Sequence, residues 1–176
     1  MKENYEYLIS QRRASSPMER IYHQVQEAIN NSLETKSNAG NVRETVLEML
    51  EVLESGIKDR KDKTVNNIAH MIDNDDVILT LGESERIKRS FLQASQEGCK
   101  FSVIVIGTRP KTTNENMLRQ LVSKGIPCTL APLNALPLLM KNTTKAIVSA
   151  SQVLANGSIF ADIGTVGLLR GHRNNG

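Results

Sequence analysis

The sequence predicts an α/β protein in which an N-terminal helical domain precedes a parallel sheet with flanking helices. Two observations predict it. The apolar period is helical up to about residue 75, and beyond that short β-rich runs alternate with helical stretches. Four β-then-α units then follow one another at a spacing of roughly 25 residues, which suits parallel strands joined by right-handed crossovers.

The first predicted helix has a clear start. Ser16 is placed to cap it, Pro17 suits its first turn and Glu19 completes a capping box. Ile21, Tyr22, Val25, Ala28 and Ile29 then share one face. The polar stretch 30–41, with Gly40, reads as a loop. A second helix over 42–57 keeps Val42, Val46, Met49, Leu50, Leu53 and Ile57 on one stripe. A third is expected over 64–72, with Val65, Ile68, Ala69 and Ile72 inward. Between them, Lys58-Asp59-Arg60-Lys61-Asp62-Lys63 reads as a solvated inter-helix turn, because two acids interrupt the basic run.

Asn74-Asp75-Asp76 breaks the helical pattern, and Val77-Ile78-Leu79-Thr80-Leu81 is the apolar run that a strand buried on both faces requires. Gly82-Glu83-Ser84 turns into a helix carrying Ile87, Phe91, Leu92 and Ala94, which Gly98 ends. Further strands are predicted over 101–106, 127–131 and 146–149. The helices between them cover 114–123 and 133–140, the latter limited by Pro137.

Composition narrows the function. The 176 residues carry a formal charge of +3, with basic residues spread along the chain, unlike the one-faced basic patch of a nucleic-acid binder. The two cysteines, Cys99 and Cys128, form no CxxC pair and have few histidines to complete a metal site. They read as reduced, partly buried thiols. The polar start has no apolar signal core, and no window approaches the roughly 18 apolar residues a membrane span needs. The reading is of a soluble, cytoplasmic protein with no metal and no cofactor.

In an open parallel sheet, ligands bind beyond the carboxyl ends of the strands. The loops at issue are therefore Gly82-Glu83-Ser84, Gly107-Thr108-Arg109-Pro110, Pro132-Leu133-Asn134 and Ser149-Ala150-Ser151. Arg109 has the fork geometry to hold a phosphate or carboxylate, and equally to pair with an acid or a partner chain. Ser84 is placed either to receive an anion at a helix N-terminus or simply to cap that helix. The glycine pattern is not GxGxxG, which gives a dinucleotide no support. These loops hold no Cys or His, and Glu83 is their one carboxylate, too little for two-group acid/base chemistry.

Five segments then occur in order: 77–84 (VILTLGES), 103–110 (VIVIGTRP), 124–129 (KGIPCT), 149–158 (SASQVLANGS) and Ile163-Gly164-Thr165. Together they resemble the alpha, beta and delta subunits of translation initiation factor 2B. They also resemble the related methylthioribose-1-phosphate and ribose-1,5-bisphosphate isomerases. The resemblance spans about residues 16–170 and looks most beta-like. It implies a Rossmann-like α/β domain over 76–170, incomplete relative to the family, after a helical domain over 1–75 and before a flexible tail over 171–176. The isomerases carry a Cys in a T-H-C-N pattern where this chain has Gly82, and an Asp where it has Ser158. Neither glycine nor a serine hydroxyl replaces those proton-transfer groups near neutral pH. The resemblance therefore implies a non-catalytic regulatory or scaffold subunit of the guanine-nucleotide exchange complex. Its partners would be the other subunits and initiation factor 2, in a homo- or hetero-dimeric arrangement, with no direct nucleic-acid or membrane contact. A sugar-phosphate sensor or residual isomerase is the alternative. The residues of a vestigial phosphate or sugar pocket would be Gly82, Ser84, Arg109, Asn156, Gly157 and Thr165.

Overall fold

A computed structural model describes residues 2–11, 15–34, 39–107, 112–162 and 164–167. The chain divides into two compact units, Met1–Asp59 and Arg60–Gly176.

The first unit is helical. Helix α1 spans Lys2–Gln11 and α2 spans Ser16–Glu34. Tyr5 of α1 stacks on Tyr22 of α2 with ring centroids 3.6 Å apart. Val25, placed on the apolar face by its spacing, is buried. The Glu19 N–H donates to the Ser15 carbonyl, 3.1 Å, closing the first turn of α2. The Ser16 side chain lies outside the described residues. The polar stretch read as a loop from residue 30 is helical as far as Glu34.

Helix α3 runs without interruption over Ala39–His70. This corrects the expectation of two helices separated by a turn at Lys58–Lys63. That segment has no Gly or Pro, and Lys58/Asp62 and Asp59/Lys63 are opposite charges four residues apart. Such pairs support a helix instead of ending it. Its charge pattern marks a solvated helix face. Gly56 is accommodated inside the helix at a cost of about 1 kcal/mol relative to Ala.

The second unit is the predicted parallel sheet. Strand β1 is Val77–Leu81, β2 is Ser102–Gly107, β3 is Cys128–Pro132 and β4 is Lys145–Ile147. They lie in the order β3-β2-β1-β4, all parallel, with Ile78 opposite Val103 and Lys145, and Ile104 opposite Thr129. The central strands are buried on both faces, which is why they read as unbroken apolar runs rather than alternating ones.

Two apolar layers sandwich the sheet. Ile78, Val103 and Val105 point to one side, where Ile87, Phe91 and Ala94 of α4 (Glu85–Gln96) join Met117 and Leu121 of α5 (Thr112–Ser123). Ala69 and Ile72 close that layer, so the end of α3 belongs to this core. Leu79, Leu81, Ile104 and Ile106 point to the other side, against Leu136 and Met140. Those two belong to a short helical segment: α6 (Leu136–Leu139) between 3-10 turns at Leu133–Ala135 and Met140–Asn142. Pro137 sits in the first turn of α6, where a proline is tolerated; having no N–H to give the Leu133 carbonyl, it keeps Leu133–Ala135 from joining that helix.

An antiparallel hairpin that the sequence reading did not anticipate follows β4. It is formed by β5 (Ala150–Val153) and β6 (Ile159–Ala161). The stretch predicted as a flexible tail, 171–176, lies outside the described residues.

Candidate ligand crevice and its supporting clasp

Strands β1 to β3 build outward in one direction, and the chain then crosses back over the opposite face to place β4 on the far side of β1. The strand order therefore reverses between β1 and β4. In a doubly wound sheet that is where a crevice opens at the carboxyl edge.

The residues at that edge can be placed one by one. Gly82 follows β1 with φ +68°, a conformation that favours glycine, and its N–H donates to the Ile106 carbonyl at 3.1 Å. Ser84 is extended (φ −132°, ψ 120°) at the N-cap of α4, and its carbonyl accepts the Lys88 N–H at 2.9 Å. Its side chain makes no capping hydrogen bond. Gly164 has φ +104°, and a Cβ there would lie 2.9 Å from Leu133 Cδ1 and 3.6 Å from Leu81 Cδ2. The Gly164-Thr165 segment therefore folds over the end of β1, and Thr165 is 3% exposed.

The structure thus brings Gly82, Gly164 and Thr165 to one edge of the sheet. Asn156 and Gly157 sit instead in the turn of the β5–β6 hairpin. There Asn156 Oδ1 accepts the Ser158 N–H at 3.0 Å and the Gly157 N–H donates to the Leu154 carbonyl at 2.9 Å. Arg109 lies outside the described residues.

Two polar features near this edge carry no sequence signal. Thr80, next to last in β1, has a buried Oγ1 with no hydrogen-bond partner among the described residues. Lys88, on α4, is 6% exposed and pairs with Glu85 at 2.5 Å. An unpaired buried hydroxyl costs free energy that an isosteric methyl does not. Thr80→Val is expected to stabilise the protein by about 1 kcal/mol, or a Tm rise of about 3 °C for a chain of this size, read by thermal unfolding.

The opposite edge of the sheet is tied by a polar clasp. Asp76, 7% exposed, accepts hydrogen bonds at Oδ2 from the Asp73 N–H (2.8 Å) and Lys145 Nζ (2.7 Å), and at Oδ1 from Thr144 Oγ1 (2.7 Å). Lys145 also pairs with Asp73 at 2.5 Å. Thr144 completes the tie: its N–H donates to the Val77 carbonyl and its Oγ1 accepts the Val77 N–H. Burial raises the Asp76 pKa. The hydrogen bonds from Lys145, Thr144 and the Asp73 N–H, with the Lys145 charge, outweigh that effect and hold it below the usual range. The same acids raise the Lys145 pKa.

Chemically reactive groups are sparse. Cys128 begins β3, at the amino edge, and burial pushes its thiol up to about 11, which leaves it protonated near neutral pH. Cys99 donates its thiol to the Ile72 carbonyl at 3.2 Å. Among the described residues, no three His, Cys, Asp or Glu side chains are grouped to hold a metal ion. No described helix is long and apolar enough to cross a membrane.

The parallel strand order, with its reversal between β1 and β4, defines a doubly wound, Rossmann-like α/β unit. Comparison with known proteins gives it a family. A profile described as "Initiation factor 2 subunit family" matches residues 1–169, and the chain belongs to that family. It is 28% identical over 165 residues to translation initiation factor eIF2B subunit delta of Dictyostelium discoideum, covering 94% of this chain and 26% of that protein. It is 32% identical over 133 residues to the same subunit of Schizosaccharomyces pombe, covering 72% and 28%. It is also 33% identical over 97 residues to ribose 1,5-bisphosphate isomerase of Thermococcus kodakarensis, covering 55% and 30%. The chain thus spans between a quarter and a third of the length of these relatives.

Solved structures share the fold. The tetrameric eIF2B-beta2-delta2 complex from C. thermophilum superposes with a TM-score of 0.85 at 22% identity, over 100% of this chain and 57% of the matched one. eIF2B delta from Chaetomium thermophilum superposes with a TM-score of 0.84 at 23% identity, over 99% and 65%.

Proposed function

We propose that this chain is a non-catalytic regulatory or scaffold subunit of the initiation factor 2B guanine-nucleotide exchange complex, working in the cytoplasm by protein–protein contact. Its partners would be the other subunits of that complex and initiation factor 2. Two delta-subunit relatives, at 28% and 32% identity, favour a delta-like place over the beta-like one that the motifs first suggest.

The single observation that carries the non-catalytic reading is the chemistry of the β1 loop. Gly82, at the position that resembles the isomerases' cysteine, is buried at φ +68° and offers no side chain to move a proton. Ser158, at the position that resembles their aspartate, lies exposed in a hairpin turn. Glu83 is exposed and stands without a second carboxylate in that loop. A carbon-bound proton cannot be shuttled by such a set.

The second reading, a sugar-phosphate sensor or residual isomerase using Gly82, Ser84, Arg109, Asn156, Gly157 and Thr165, is favoured by the isomerase relative. Incubating the purified chain with ribose 1,5-bisphosphate and following ketose formation by NMR separates the two. No product is expected, and turnover would overturn the non-catalytic reading. A thermal shift without turnover would support the sensor, since a ligand that binds only the native state raises its stability.

A further inference from the structure

The clasp at the amino edge of the sheet and the hairpin at its carboxyl edge are joined by very little chain. Strand β4 is three residues long and pairs with β1 at only three positions, Ile78 with Lys145, Leu79 with Ala146 and Thr80 with Ile147. At about 3.3 Å per residue it spans roughly 10 Å. Only Val148 and Ser149 separate it from β5. Its side chains are half-buried, whereas residues 149–162 are exposed except for Gln152 and Ala161. Val153 and Phe160 are 73% and 56% exposed.

The hairpin buries too little apolar area to fix its own position, and the chain before it brings only the half-buried Ala146, Ile147 and Val148 to the two apolar layers. The polar ties at the start of β4 are by contrast dense. Thr144 and Lys145 together make hydrogen bonds to Asp73, Asp76 and both backbone groups of Val77, across sequence separations of 67 to 72 residues. Within the hairpin, the Leu154 N–H to Ser158 carbonyl and Ser151 Oγ to Phe160 carbonyl hydrogen bonds tie its two strands to each other.

We propose that the Asp73–Asp76–Thr144–Lys145 clasp is a latch. Closed, it keeps β4 paired with β1 and so fixes the point at which the hairpin leaves the sheet; open, it releases β4 and, with it, the hairpin. The latch acts on the crevice from the opposite edge of the sheet. The hairpin bears Asn156 and Gly157, and the chain that leaves it leads directly to Gly164 and Thr165 over the end of β1. A regulatory protein gains from this arrangement, because segments that move in regulation are drawn from the least stable parts of a fold.

Hydrogen exchange of the full chain tests the latch, comparing the parent with Lys145→Met and Thr144→Val, and with Lys145→Arg as the conservative control. In the two disrupting variants, amides of β4 and of the β5–β6 hairpin are expected to exchange at least 10-fold faster, by a common factor. The β2–β3 ladder is expected to stay more protected than either. Lys145→Arg is expected to stay within threefold of the parent. Acceleration confined to β4, no acceleration in either variant, or loss of protection to one level across all strands would each overturn the proposal. Thr144→Val leaves the Lys145 ion pairs in place, so the test survives if the lysine variant fails to fold.

Discussion

Asp76→Ala is expected to destabilise the protein by about 3 kcal/mol. The substitution leaves the Thr144 hydroxyl with only the longer bond to the Val77 carbonyl, 3.4 Å, leaves the Asp73 N–H without its acceptor and removes one of the two acids on Lys145. Hydrogen bonds to a charged group are worth about 1.5–3 kcal/mol each, and removing one member of a buried ion pair costs about 3–5 kcal/mol. The partial exposure of Lys145, whose side chain is 31% accessible, puts the expectation at the lower end of that range. Urea unfolding at pH 7 measures it.

The pH dependence of the same variant has a definite sign. A carboxylate whose folded pKa is depressed stabilises the protein above its unfolded value, about 3.9, and that stabilisation is lost as pH falls through the folded pKa. Burial alone would have raised the Asp76 pKa and reversed this dependence; the hydrogen bonds win. The gap between parent and Asp76→Ala is therefore expected to be fully open above about pH 4 and to close below it. Lys145 supplies the other limit. Its raised folded pKa means that its contribution is present below the unfolded value, about 10.4, and fades as pH rises beyond it. A gap that widened on acidification would refute the description of the clasp.

Phe91→Ala carries the largest expected cost, about 4 kcal/mol. Phe91 is 0% exposed, packs against Phe101 with ring centroids 5.9 Å apart, and lies in the apolar layer formed by the sheet, α4, α5 and the end of α3. Aromatic-to-alanine changes in close-packed cores cost about 3–5 kcal/mol, part of it from the cavity left behind. The chain has only three phenylalanines and no tryptophan, so little bulk is available nearby to refill that space. A fall of about 4 kcal/mol in unfolding free energy checks the assignment of this layer, and a loss under 1 kcal/mol would contradict it.

What could be read from the sequence depended on how local the cause was. The strand Val77–Leu81 was legible because a strand covered on both faces must be apolar at every position. The parallel sheet followed from the alternation of strands and helices, and the crevice from the parallel sheet. Helix α3 was misread at Lys58–Lys63 because a dense run of charge resembles a loop until its four-residue opposite-charge pairs are counted. The β5–β6 hairpin was missed although Asn156-Gly157 is a strong turn signal, since its strands of three and four residues carry little periodicity of their own. The clasp was illegible for a different reason. Asp73, Asp76, Thr144 and Lys145 become neighbours only when β4 is laid beside β1, and no local pattern announces a contact between residues so distant in the chain.

The most direct test of the account is assembly. The purified chain would be mixed with the alpha, beta and exchange subunits of initiation factor 2B, with the delta subunit left out, and resolved by size-exclusion chromatography with light scattering. Co-elution in a stoichiometric complex is the predicted result. Elution of the chain by itself at every mixing ratio, while the other subunits assemble without it, would contradict a role as a subunit.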